Sequence, residues 1–403
     1  MEKFRHFGDA ATGIHPFTFV IAPTSAGRIA SICMFPIRLL LSTVFVLLLL
    51  VTDTLLWVFH VAYLGLLGRL LLAPLQRAWL RGLLFFIGHI LPEQPAVLVK
   101  PQQQNGEASS SSRAVRAGDL VVCNLQSVWD ALVLEVVLAQ PYHAICFPDA
   151  TTTAEAGATP GLRVFWPSPM QRWKVWAYTR RTGSLVFLTA QQPGNAEQQA
   201  IQKKTETTEL PLYRVQKAAA RAGVPVWWFG EGTCSNGRGL LLMPTVTFMS
   251  AAPHKASAEC VVHLATIQYD SPALQNVLGD DSEGFFEALF RTGVLLYGST
   301  TSAWASPFLT SAEVTYRSAR LARATPSMAA ESKSTASVCY WTLSTPALLE
   351  LRNVMCQRGQ TLLVSGSGGG MRRQPLSVGM SEKRGFIEAY RAMLYSEKTR
   401  SSA

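Results

Sequence analysis

The sequence predicts an α/β protein, a mixed sheet flanked by helices, preceded by a membrane-embedded helical segment near the N-terminus. Three observations predict it. Short β-branched runs alternate with stretches of helical period from 119 to 270. A long apolar stretch occupies residues 39–68. Hydrophobic residues make up 48% of the 403 and charged residues only 15%, whereas a soluble globular chain carries about 25% charge.

Residues 1–34 are polar to mixed and read as a flexible N-terminus. Residues 35–92 read as membrane-anchoring helices. Here 39–52 is LLLSTVFVLLLLVT, Asp53 interrupts, and TLLWVFHVAYLGLLG continues. A span needs about 20 apolar residues, so the whole stretch is too long for one simple crossing and each half is short. An ionised group at bilayer centre costs several kcal/mol. Asp53 is therefore expected at an interface, in a bend or against protein. A hairpin returning to the cytosolic face is the preferred reading, and a tilted single span the alternative. Residues 83–91 read as a second membrane-contacting helix or as the first core helix. The length of the apolar run argues against a secretory signal peptide.

Beyond 92, residues 101–113 (PQQQNGEASSSSR), 151–160 and 191–209 read as loops. Strands are expected at 119–123, 224–229 and 260–269, and helices at 126–139 and 210–222, the latter ended by Gly223. The α/β domain is expected over 93–300. Residues 301–403 form a C-terminal extension: 270–345 lacks a clear period, GSGGG at 366–370 marks a turn, and 382–395 closes the chain as a helix.

The net charge is +10. No Lys/Arg run interleaved with aromatics accompanies it, so an anionic lipid surface fits better than nucleic acid. Arg69, Arg77 and Arg81 lie in a stretch without acidic residues between Asp53 and Glu93. Seven cysteines without a Cys-x-x-Cys pair argue against a disulfide framework and a zinc site and favour the cytosolic side of a membrane.

Two polar constellations follow expected strands: Asn124-Leu-Gln-Ser-Val-Trp-Asp130, and Phe229-Gly-Glu-Gly-Thr-Cys-Ser-Asn-Gly237. The carboxyl ends of strands in an α/β sheet are where ligands bind. The second constellation resembles the Phe-Pro-Glu-Gly-Thr-Arg-Ser-Asn-Gly block of the membrane-bound glycerolipid acyltransferase family. Glu231, Gly232, Thr233, Ser235, Asn236 and Gly237 match it, and Leu240-Leu241-Leu242 is similar to its continuation. Asn124 and Asp130 match the family's Asn-His-x-x-x-x-Asp block. VVHLATIQY at 261–269 resembles its later strand. Phe35-Pro-Ile-Arg38 is similar to the stretch before the membrane segment in lysophosphatidylcholine acyltransferases and the ancient ubiquitous protein, and Lys383-Arg-Gly-Phe386 to their closing helix.

The resemblance implies acyl transfer from acyl-CoA, as co-substrate, to a lysophospholipid or glycerol phosphate. It implies a membrane location, endoplasmic reticulum or lipid droplet, with the α/β domain in the cytosol and lipids as partners. A His would take the hydroxyl proton and an Asp, here Asp130, would orient it. Asn124, Glu231, Gly232, Thr233 and Ser235 would bind substrate.

This chain departs from the pattern at Leu125 in the His position, Gly230 for Pro, Cys234 for the phosphate-binding Arg, and Ala190 near the Arg of a middle block at 183–190. Leucine accepts no proton. His143 and His263 are the candidate replacement bases, Cys234 a candidate nucleophile, and Arg180 and Arg181 candidate phosphate ligands. Three readings follow: an acyltransferase with an altered site, a catalytically inactive acyltransferase fold that binds lipid or recruits partners, and a structural membrane protein of unrelated role.

Overall fold

The computed structural model describes residues 6–12, 14–17, 25–62, 64–87, 89–90, 115–138, 142–148, 161–184, 210–235, 239–251, 260–269, 310–321, 324–326, 338–356, 374–379, 383, 385, 386, 389 and 392. The expected loops at 101–113, 151–160 and 191–209, the 366–370 turn, and Phe187, Ala190, Asn236 and Gly237 lie outside them.

Two helices open the chain: α1 (Ser25–Val61, 37 residues) and α2 (Gly65–Ile87, 23 residues). They pack as a helical hairpin. Gly82 lies against the Phe45 ring, where a Cβ would meet Cε1 at 2.4 Å, so the missing side chain lets the helices close. Thr43 and Thr54 hydroxyls donate to the carbonyls of Leu39 and Leu50, at 2.8 and 2.7 Å. Those bonds remove the cost of a bare hydroxyl in apolar surroundings. Both helices are long and apolar enough to cross a membrane.

The strands are β1 (His89–Ile90), β2 (Leu120–Cys123), β3 (Ala144–Pro148), β4 (Leu162–Phe165), β5 (Val226–Phe229), β6 (Gly239–Leu240), β7 (Val246–Ala251), β8 (Cys260–Tyr269), β9 (Thr310–Leu321), β10 (Thr325–Pro326), β11 (Val338–Leu343) and β12 (Gln374–Pro375). The remaining helices are α3 (Asp130–Leu138), α4 (Gln171–Ser184), α5 (Leu212–Arg221) and α6 (Thr345–Cys356). Seven strands form a mixed sheet in the order β1-β9-β8-β2-β5-β3-β4. Its centre, β8, β2, β5 and β3, is parallel; β9 and β4 run antiparallel to their neighbours β8 and β3. A second sheet is β10-β11-β7, and β6 pairs with β12.

Alternate residues of the central strands bury two cores, one on each face. Val121, Cys123, Ile145, Trp227 and Phe229 face a core shared with α3, α4 and the hairpin's Leu49, Leu80, Leu83, Leu84 and Ile87. Leu120, Val122, Cys146, Val226 and Trp228 face the other, closed by α5, α6, β7 and β11. The hairpin is thus a layer of the domain as well as an apolar surface. On α1, Phe35, Leu39, Ser42, Val46, Leu49, Asp53 and Leu56 recur at spacings of three and four on the inward side. Ile37, Leu40, Val44, Leu47, Val51, Leu55 and Val58 are exposed on the outward side.

Asp53 is buried against protein. It accepts from Gln76 Nε2 on α2 at 2.9 Å and pairs with Arg172 of α4, which also pairs with Glu135 of α3. Of the three places expected for Asp53, this is the one occupied. The Tyr142 hydroxyl donates to the Leu56 carbonyl at 2.6 Å, a second tie between α1 and the domain.

Several expected elements differ. The helix expected from 126 begins at Asp130, because the preceding turn is closed onto the Asp130 carboxylate. The helix expected from 210 begins at Leu212, since Leu210 is held in a bridge to Val246. The stretch 270–345, expected to be irregular, contains β9, a twelve-residue strand that pairs with β8 over residues 312–321 and with β1 at Thr310 and Ser311. Its polar composition hides it; its described side chains, Val314, Tyr316 and Leu321, are buried. β9 and β11 also carry the sheets across the domain boundary expected at 300.

The N-terminal stretch expected to be flexible has a folded part: Asp9 accepts the amides of Thr12 and Ser377 at 2.9 Å. Phe17, Leu241, Leu376, Val378 and Phe386 form a third small core there. Of the expected closing helix, the described residues 383, 385, 386, 389 and 392 are helical.

Candidate functional site

The two constellations lie side by side. β2 and β5 are parallel neighbours with Cys123 opposite Phe229, so the segments after them leave the sheet at one edge. Asn124 stays with the sheet: its Nδ2 donates to the Ile267 carbonyl at 3.0 Å and its Oδ1 accepts the Ile267 amide at 2.7 Å. The side chain thereby extends the β2–β8 ladder by one rung. Gln126 Nε2 donates to the same carbonyl at 3.0 Å.

Leu125 is 1% exposed and belongs to the apolar core of the hairpin face. Its amide donates to Glu231 Oε2 at 2.6 Å, and the Leu241 amide donates to Oε1 at 2.7 Å. Glu231, itself 1% exposed, therefore joins the segments after β2, β5 and β6. Asp130 is fully buried. Its Oδ2 accepts the amides of Gln126 at 2.6 Å and Ser127 at 3.0 Å, and its Oδ1 accepts from the Tyr269 hydroxyl. Both carboxylates spend their acceptors on the protein's own donors.

Gly232 turns the Glu-Gly-Thr segment with φ +67°, a conformation that costs residues with a Cβ about 1 kcal/mol or more. Gly230 stands where a proline was expected; a Cβ there would meet Met243 Sδ at 2.9 Å and the Trp228 ring at 3.0 Å. The bulk of Trp228 has taken that space. Ser235 is buried with the rest.

Cys234 is buried beside Lys383. Burial pushes its thiol up to about 12, against the pull of Lys383, so at neutral pH it is a protonated, poor nucleophile. His143 stacks on Trp227 with ring centres 3.6 Å apart, and His263 Nδ1 lies 2.7 Å from the Tyr316 hydroxyl. His143 directly precedes β3, and His263 pairs with Val121 near the start of β2. Both sit toward the amino ends of the parallel strands, away from Glu231 and Asp130, and neither replaces the missing base. Arg180 lies over the Trp176 ring, 5.3 Å from its centre. The Arg181 side chain lies outside the described residues.

Lys383 is the member that motif reading placed only in a closing helix. It is fully buried, and its Nζ donates to Thr233 Oγ1 at 2.8 Å and to the Cys234 carbonyl at 2.7 Å. It brings a cation to the loop where the family pattern has Arg. Its one sequence signal was the Lys383-Arg-Gly-Phe386 echo. Arg352 of α6 also converges here, donating to the carbonyls of Leu240, at 2.8 Å, and Leu376.

Burial lowers the Lys383 ammonium from 10.5 to about 8, opposed by Cys234 and Glu231. Between about 8 and 10.5 the unfolded chain then binds more protons than the folded one. Stability should rise across that window, by up to ~3 kcal/mol. Thermal unfolding in detergent at stepped pH should show the rise in wild type and its loss in Lys383→Met.

Comparison with protein-family models, curated proteins and solved structures gives no match.

Proposed function

We propose that this chain is a membrane-anchored protein on a glycerolipid-acyltransferase-like fold that has lost acyl transfer and acts by holding lipid or partners at a membrane. The carrying observation is the state of the His–Asp pair. Leu125 fills the His position inside the apolar core, while the Asp130 carboxylate is engaged by two amides and a tyrosine hydroxyl. The other carboxylate at that strand edge, Glu231, likewise accepts two of the protein's own amides. Loss of a general base costs about 10²–10⁴ in rate, and groups acting as a unit fail together.

The resemblance is supported by order and placement. Its two main motif blocks follow neighbouring parallel strands, and its later strand, β8, flanks the first of them. The exposed side of the hairpin supports membrane attachment. With α1 tied to the domain through Asp53 and Leu56, lipid reaches the outward face and the hairpin rests within one leaflet. The endoplasmic reticulum or a lipid droplet, with the domain in the cytosol, follows from the resemblance.

The test is acyl-CoA-dependent acylation of lysophospholipid or glycerol phosphate by membranes carrying the full chain. Wild type and Leu125→His are both expected to match membranes without the protein, because a histidine at 125 meets an Asp130 already engaged. Turnover by wild type above that background would overturn the proposal in favour of an altered but active acyltransferase.

A further inference from the structure

We infer that the turn between β4 and α4, Trp166-Pro-Ser-Pro-Met170, is a second lipid-contacting element that seats the α/β domain on the same membrane surface as the hairpin. This rests on the reading of the hairpin as a lipid-bound face. Trp166 is 41% and Met170 47% exposed, two large apolar side chains just after β4, the last strand of the main sheet among the described residues. Amphipathic Trp and flexible Met are side chains that suit the headgroup boundary.

The backbone of the turn is prepared for a poorly hydrated place. Pro167 and Pro169 carry no N–H. The Phe165 carbonyl accepts from Gln171 Nε2, the Ser168 carbonyl from the Gln171 amide and the Met170 carbonyl from the Lys174 amide, each at 3.0 Å. Two of the turn's own carbonyls, those of Ser168 and Met170, are thereby satisfied within the protein.

Its position is fixed. Two residues beyond Met170, Arg172 pairs with Asp53 of α1, and Gln171 Nε2 also holds the His143 carbonyl at 2.7 Å, next to Tyr142, which binds Leu56. The turn therefore lies beside the closed end of the hairpin, where Leu55, Trp57, Val58, Val61 and Leu64 are exposed. Arg163 of β4 and Lys174 of α4, which flank it on the chain, are exposed. These basic residues fit an anionic lipid surface rather than a basic protein.

The test uses the full chain with Cys33, Cys260 and Cys339 replaced by serine. An environment-sensitive fluorophore is placed on Met170→Cys, Val58→Cys or Arg221→Cys. Each protein is reconstituted in phosphatidylcholine–phosphatidylserine vesicles with quencher-bearing lipids. The label at 170 is expected to lose most of its emission, as the label at 58 does, while that at 221 keeps it. Quenching at 58 without quenching at 170 would overturn this inference alone; quenching at neither would overturn the membrane reading with it. A label at 170 shielded in detergent, in a protein eluting at twice its mass, would assign the turn to self-association and overturn the inference.

Discussion

Glu231→Ala is expected to unfold the strand edge rather than to unload a ligand. The carboxylate is buried and accepts two amides from different segments. Hydrogen bonds to a charged group contribute about 1.5–3 kcal/mol each, and the stranded amides carry their own desolvation penalty. The expected loss is therefore about 3–6 kcal/mol, a large part of the stability of an ordinary domain. Glu231→Gln keeps one acceptor and should fall between. Urea titration in detergent measures both, and amide exchange locates the effect at Leu125 and Leu241. A loss of under 1 kcal/mol in Glu231→Ala, below one such bond, would mean that those two bonds are not made. An activity assay built on this variant would report folding, which is why the acylation test above relies on position 125.

Arg172→Ala is the second large effect. It strands two carboxylates, Asp53 and Glu135, between the hairpin and the domain. Breaking a buried ion pair on one side costs about 3–5 kcal/mol, whereas replacing all partners by apolar residues of similar volume is near neutral or better. Arg172→Met with Asp53→Leu and Glu135→Leu should therefore recover what Arg172→Ala loses. Burial holds the Glu135 carboxyl above the usual range even with Arg172 beside it. In the alanine variant the group should stay protonated still higher. A raised folded pKa gives stability that is present at acid pH and lost as pH rises through it. The deficit should then shrink toward acid pH, which thermal unfolding from neutral to acidic buffer would read.

Much of the architecture was legible because it is written in apolar periodicity. The strands β2, β5 and β8, helix α5 and its Gly223 stop are local signals, and so is the length of the hairpin. β9 was hidden, because its sequence, TSAEVTYRSARL, carries few large apolar side chains and gains its place from pairing with β8. The site was half legible. Motif spacing brought Asn124, Asp130 and Glu231 to one edge, but what each carboxylate binds is decided by backbone amides, which no side-chain pattern encodes. Lys383 was harder still: its partners Thr233 and Cys234 are 150 and 149 residues away, and nothing local marks a lysine as buried. Asp53 announced itself as an anomaly in an apolar run; its partner Arg172 did not.

The leucines that α1 and α2 lend to the sheet have a practical meaning. A fragment starting after the hairpin would not be a soluble version of the protein, since it would uncover the part of the hairpin-face core filled by Leu49, Leu80, Leu83, Leu84 and Ile87. Such a truncation should aggregate when expressed. The hairpin also precedes the strands in the order of synthesis, so under the proposed membrane attachment the bilayer would serve as the template on which the rest of the chain assembles.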